Sequence, residues 1–211
     1  MTGGIVLCGG RSSRMGRPKA WLPFGGELML QRVVRVLREV VGPVVVVAAP
    51  GQDVPPLPAG VEIVRDEVEG RGPLQGLAAG LAALEGKADG AYLSSCDVPF
   101  LLPEFVRRVI ELGEFTTDIP RYGSEHQTGY AASVPHVGGY FHPLAAAYRN
   151  SVTWPMMRLL SENRLRPVFL FDSVPTRVVE PHELADIDPT FQSLRNLNTP
   201  EDYETALREL S

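Results

Sequence analysis

Ile5-Val6-Leu7-Cys8-Gly9-Gly10-Arg11-Ser12-Ser13-Arg14-Met15-Gly16-Arg17-Pro18-Lys19 begins as an apolar run and empties into glycines, hydroxyls and cations. Backbone amides approach phosphate oxygens closely only where side chains are absent, so a strand that opens into such a loop suits a polyanion. Arg11, Arg14 and Lys19 supply charge to match a triphosphate as it is split. The stretch reads as a nucleotide-phosphate loop, against the alternative of a surface turn with solvated cations. It lacks the Gly-x-x-x-x-Gly-Lys-Ser/Thr of a Walker loop and the Gly-x-Gly-x-x-Gly of a dinucleotide fold.

Working outward, residues 28–41 carry Leu30, Val33, Val34, Leu37, Val40 and Val41 at helical spacing, and Gly42-Pro43 ends that helix. Residues 44–49 are a continuous apolar run, the pattern of a parallel strand covered on both faces. A proline-rich surface loop over 50–60 leads to a strand at 61–64, and residues 72–84 form a helix rich in glycine and alanine. A buried strand at 90–96 and a helix opened by Pro103 follow. Residues 116–140 have no sustained period and are expected to be irregular or a short hairpin. A short helix is expected at 143–149, a stronger one at 153–162 with Thr153 as its cap, strands at 167–171 and 177–179, and a last helix from Pro200. Strands alternating with helices predict an α/β protein, a three-layer α/β/α sandwich with a mostly parallel, Rossmann-like sheet, formed as a single domain over 1–211. Ligands of such sheets bind beyond the carboxyl ends of the strands, where the loop, Asp66 and Asp97 all fall.

A net charge of -5 argues against a broad nucleic-acid surface. The two cysteines, Cys8 and Cys96, cannot build a disulfide scaffold and read as buried thiols in a reducing compartment. No signal-peptide pattern and no run approaching ~20 apolar residues is present, so the expectation is a cytoplasmic protein with no membrane partner.

Asp97, at a strand end facing the loop, is the candidate Mg²⁺ ligand, its alternative role being a turn or helix cap before Pro103. Asp66 suits a base, a ribose hydroxyl or a metal-bound water, or else an ordinary solvated turn beside Arg65 and Glu67. Among the histidines only His142 has a suggestive context, and none has zinc spacing. No nucleophile and general-base pair is apparent. Nucleotidyl transfer needs none, because positioning and charge stabilisation carry it.

The chain resembles the molybdenum-cofactor nucleotidyltransferases, guanylyltransferases among them. The resemblance rests on the opening loop, on Gly72-Pro73-Leu74-Gln75-Gly76, Cys96-Asp97-Val98-Pro99-Phe100 and His142-Pro143-Leu144, and on Asn196-Leu197-Asn198-Thr199-Pro200-Glu201-Asp202. It implies that Leu7, Cys8 and Gly9 contact the base or ribose and that Gly10, Arg14 and Lys19 lie at the phosphates. It further implies that Asp66 recognises guanine nucleotide, that Asp97 coordinates Mg²⁺, and that Asn196 and Asn198 face the pterin. The implied substrates are GTP and molybdopterin or molybdenum cofactor, and the implied partners are cofactor-insertion proteins or molybdoenzymes in transient contact. Gly10, where cytidylyl-transferring relatives have Ala-Ala-Gly, favours GTP over CTP. Two departures stand out: no asparagine follows Val47-Ala48-Ala49, and residues 123–138 are longer than the usual connection, which shapes a different acceptor pocket or extends a surface loop. The alternatives are a nucleotidyltransferase using CTP or a phosphorylated sugar, and a nucleotide-binding maturation partner without turnover.

Overall fold

The computed structural model describes residues 1–9, 15–66, 68, 70–115 and 129–210. In chain order these form β1 (Thr2–Leu7), β2 (Pro23–Phe24), β3 (Glu27–Leu28), α1 (Met29–Arg38), β4 (Val44–Ala48), β5 (Val61–Arg65), α2 (Gly72–Ala83) and β6 (Gly90–Ser95). There follow α3 (Pro103–Leu112), β7 (Ala132–Val137), β8 (Tyr140–Phe141), β9 (Ala145–Arg149), α4 (Thr153–Ser161), α5 (Val168–Phe171), β10 (Thr176–Val179) and α6 (Pro200–Glu209).

The main sheet has eight strands in the order β10-β7-β9-β6-β1-β4-β5, with β8 paired to β7. Strands β5, β4, β1 and β6 run parallel, while β9 lies antiparallel between β6 and β7. Helices α1 and α3 cover one face with Leu30, Val33, Leu37, Val106 and Val109. Helices α2, α4 and α5 cover the other with Leu74, Leu77, Met156, Leu159 and Leu170. The expected three-layer, mostly parallel α/β architecture is present. A third apolar cluster joins Leu22, Phe24 and Met29 to Leu197 and Ala206, so α6 packs against the β2-β3 hairpin that follows the phosphate loop.

Glycine sets the tightest contact between α2 and the sheet. A Cβ built on Gly80 would stand 2.7 Å from two carbons of Ile5, and one on Gly76 would stand 2.9 Å from Leu7. At Gly90, where β6 meets the antiparallel β9, a Cβ would lie 2.4 Å from the Tyr148 carbonyl oxygen.

Three expectations are corrected, and a fourth is resolved toward its short-hairpin alternative. Residues 143–149 hold strand β9 in place of a helix, because Ala145 and Ala147 enter the cluster under α1 and α3 while Ala146 and Tyr148 enter the opposite one. That period of two overrides alanine's helix propensity. Residues 167–171 turn into α5 in place of a strand, its Leu170 buried against α4. Thr153 makes no cap bond, since Val152 occupies the N-cap position and a 3₁₀ turn over Asn150–Val152 leads into α4. Within 116–140, the described part forms β7 and the first half of the β7-β8 hairpin; residues 116–128 lie outside the described residues.

Candidate active site

The parallel strands end on one crest, and that crest borders a cleft of about 1240 Å³. Leu7, Cys8 and Gly9 leave β1, Ala48 and Ala49 leave β4, Asp66 follows β5, and Ser95, Cys96 and Asp97 leave β6. Gly72, Pro73 and Gly76 bring the N-terminal turn of α2 to the same cleft. Because β9 runs the other way, its start faces this crest and Leu144 joins the lining. His142 is not among the lining residues; its ring bonds the Val137 carbonyl at 3.2 Å, and burial holds it below the usual histidine range.

The charged centre is built on Asp97, which is 9% exposed. Its Oδ1 accepts from Ser95 Oγ at 2.6 Å and from Asn196 Nδ2 at 2.8 Å, and its Oδ2 accepts from Lys19 Nζ at 2.7 Å. Lys19 donates again to Asn198 Oδ1 at 2.8 Å. The Leu197 amide bonds the Asp97 carbonyl at 2.9 Å, while the Leu197 side chain is anchored in the third apolar cluster. Asn198 is held in turn by its backbone N–H donating to Asp202 Oδ2 at 2.9 Å, and Thr199 and Asp202 close a capping box at the start of α6. The amides of Asn198 and Thr199 hold the Asp202 carboxyl below its ordinary range. One ladder of contacts thus runs from the phosphate loop through the β6 crest to the last helix.

Among the described residues, the other half of the cleft is organised around Gln52. Gln52 Oε1 accepts from the Ala49 amide at 3.0 Å, and its Nε2 donates to the Cys8 carbonyl at 2.9 Å and to Cys8 Sγ at 3.4 Å. Arg65 braces this turn from outside, donating to the Gln52 carbonyl at 2.6 Å. Hydrogen bonds from Cys96 and Gln52 hold the Cys8 thiol below its ordinary range against its burial. The neighbouring Cys8 thiol and burial push the Cys96 thiol up. Asp66 lines the far end, its Oδ1 accepting from the Val68 amide at 3.1 Å.

The cleft therefore brings together Leu7, Cys8, Gly9, Lys19, Asp66, Asp97, Asn196 and Asn198. Gly10, Arg11 and Arg14 lie outside the described residues. Sequence reasoning passed over Ser95 and Arg17 and, in a loop read as surface, Gln52, whose signal was its place four residues beyond β4, on the crest itself.

A family model described as the MobA-like NTP transferase domain matches residues 4–175. The chain belongs to this family. The matched region includes the loop, Asp66 and the Asp97 turn of the transferase, and stops short of Asn196 and Asn198. The transferase is 34% identical over 207 residues to a probable molybdenum cofactor guanylyltransferase of Pelotomaculum thermopropionicum, covering 96% of this chain and 90% of that one. It is 35% identical over 202 residues to a protein of the same description from Mycobacterium avium, covering 94% and 91%. Its fold matches the crystal structure of molybdopterin-guanine dinucleotide biosynthesis protein A from Archaeoglobus fulgidus with a TM-score of 0.75 at 21% identity, over 99% of this chain and 98% of that one.

A single carboxylate of this kind is a poor resident metal site, and among the described residues no three His, Cys, Asp or Glu side chains converge. It is a fitting one for Mg²⁺, which is commonly held by one or two carboxylates plus substrate phosphates and waters. Lys19 on Oδ2 shows that this carboxylate faces a cation in the cleft.

Proposed function

We propose that this chain, as a single nucleotidyltransferase domain, transfers GMP from GTP to the terminal phosphate of a molybdopterin-type acceptor and releases pyrophosphate. The observation that carries the reading is the Lys19–Asp97–Asn196–Asn198 cluster at the mouth of a glycine-lined cleft, in a chain related over 96% of its length to a probable molybdenum cofactor guanylyltransferase. The acceptor phosphate oxygen attacks the α-phosphorus, and the bond to the pyrophosphate oxygen breaks. No side-chain nucleophile takes part, so the chain's task is to hold two polyanions in line and offset their charge.

Leu7, Cys8 and Gly9 form the edge that receives the base and ribose, and the Gln52 amide locks that edge to the β4 turn. Asp66 supplies the acceptor group for guanine nucleotide at the far end. Gly10, Arg14 and Lys19 take the phosphates, with Lys19 free to turn from Asp97 toward charge that develops on the leaving pyrophosphate. Asp97 would hold Mg²⁺, oriented by Ser95 and Asn196, and the metal would supply Lewis-acid charge to the phosphates. Asn196 and Asn198 face the acceptor side, and the product passes by transient contact to insertion proteins or molybdoenzymes.

The test is pyrophosphate release by the purified protein with Mg²⁺ and molybdopterin-type acceptor, comparing GTP, CTP, ATP and UTP. Selective release with GTP is expected, whereas CTP preference would reassign the base. Asp97→Ala is expected to abolish turnover while circular dichroism remains that of a folded protein, because the side chain sits on the cleft rather than in the core. Full activity in that variant would remove Asp97 from the mechanism.

A further inference from the structure

Cys8 and Cys96 stand level on neighbouring strands. Leu7 pairs with Ser95 at the end of the parallel β1-β6 ladder, and the Cys96 amide bonds the Leu7 carbonyl at 3.0 Å, so the next residue on each strand is a cysteine. Both belong to the apolar cluster on the α1 and α3 face, together with Val6 and Tyr92, which precede them by even steps on the same strands. Their side chains therefore leave the sheet on one side, toward each other across the β1-β6 pair. Adjacent strands lie ~4.8 Å apart, inside the ~4.4–6.8 Å Cα separation that a disulfide spans without backbone movement. Both residues also line the cleft, although they are only 5% and 6% exposed, so a small oxidant reaches them from the nucleotide side. They are the two cysteines of the chain, which leaves no third thiol to compete.

We infer that Cys8 and Cys96 form a reversible intramolecular disulfide when the cleft is free of nucleotide and a hydroperoxide enters, and that this bond switches nucleotide binding off. Cys8 is the attacking sulfur, since the Gln52 amide donates to it at 3.4 Å. It breaks the peroxide O–O bond, gains one oxygen as a sulfenic acid and releases the other as water from hydrogen peroxide or as the alcohol from an organic hydroperoxide. Cys96 then attacks the Cys8 sulfur, the S–S bond forms as the S–O bond breaks, and water leaves. Two thiols and one hydrogen peroxide give a disulfide and two waters, the sulfurs supplying both electrons. Drawing the sulfurs to about 2.05 Å shifts the Cys8 edge that Gln52 braces, and it does so one residue from Asp97.

The switching half of this inference rests on the nucleotide reading above; the disulfide half does not. The experiment treats the purified protein with hydrogen peroxide, with and without GTP and Mg²⁺, and reads free thiols, intact mass under denaturing non-reducing conditions, and GTP binding. The expected result is loss of both thiols in a monomer that is lighter by two hydrogens, at least tenfold weaker GTP binding restored by dithiothreitol, and slower oxidation when GTP is bound. Cys96→Ser is expected to gain oxygen at Cys8 without that two-hydrogen loss. Surviving thiols, consumption only as oxygenated acids, or cross-links only between chains would overturn the disulfide. An intramolecular disulfide with unchanged GTP binding would overturn the switch, and a reduced protein that binds no GTP would count against the nucleotide reading while leaving the disulfide standing.

Discussion

Lys19 answers to two partners at once, the Asp97 carboxylate and the Asn198 amide oxygen, and both lie far from it along the chain. Removing its charge should leave the Asp97 carboxylate, already 9% exposed, without its cation and the pyrophosphate without a counter-charge. Lys19→Met is therefore expected to lower kcat by about 100-fold or more, the scale of losing one preorganised stabilising group, as read in a pyrophosphate-release assay at saturating GTP. Asp202 acts at one remove, through the backbone of Asn198. Its folded carboxyl titrates below the unfolded value near 3.9, so its contribution to stability is present above that value and is lost as pH falls through the lower, folded one. Urea titrations of the wild type and Asp202→Asn should show a gap at about pH 7 that narrows as the pH falls below the unfolded value. A gap that persists undiminished in acid would mean that the amide bonds of Asn198 and Thr199 do not depend on its charge.

At the scale of elements, α2 is placed by its glycines rather than by large side chains. Gly80→Ala gains about 1 kcal/mol of helix propensity but forces a methyl group to within 2.7 Å of Ile5, and overpacking of that kind costs about 1–3 kcal/mol. Net destabilisation of up to about 2 kcal/mol is expected from the urea midpoint. A stabilised variant would show that α2 has room to slide. The same helix shows what was legible in advance: its small-residue face was readable as close packing, and the valine run of β4 was readable as a strand covered on both sides. The strand at 145–149 was not, because three consecutive alanines carry no periodic contrast and only their neighbours β6 and β7 make them extended. Of the site, the loop, Asp66 and Asp97 could be read from strand ends, and the Asn-x-Asn segment from family resemblance. Gln52 could not, since a glutamine after a proline and a glycine looks like loop until β4 is seen to deliver it to the crest.

For the whole molecule, ligand and stability are linked through a cleft whose lining residues run from Leu7 to Asn198 along the chain. A nucleotide that binds only the folded state adds about 2.7 kcal/mol at 100 times its dissociation constant, so GTP with Mg²⁺ should raise Tm in proportion to the logarithm of its concentration. An unchanged Tm at saturating GTP would count against binding in this cleft. The ladder from Lys19 to Asn198 spans 179 positions of sequence. Polypeptides leave the ribosome N-terminus first, so the loop that opens this chain is made long before the partner that fixes its lysine. Strands β1, β4, β5 and β6 can pair, and the glycine-lined edge can take shape, while the final segment is still unmade. The cluster of Lys19, Asp97, Asn196 and Asn198 cannot: it waits for a segment made 179 positions after its lysine.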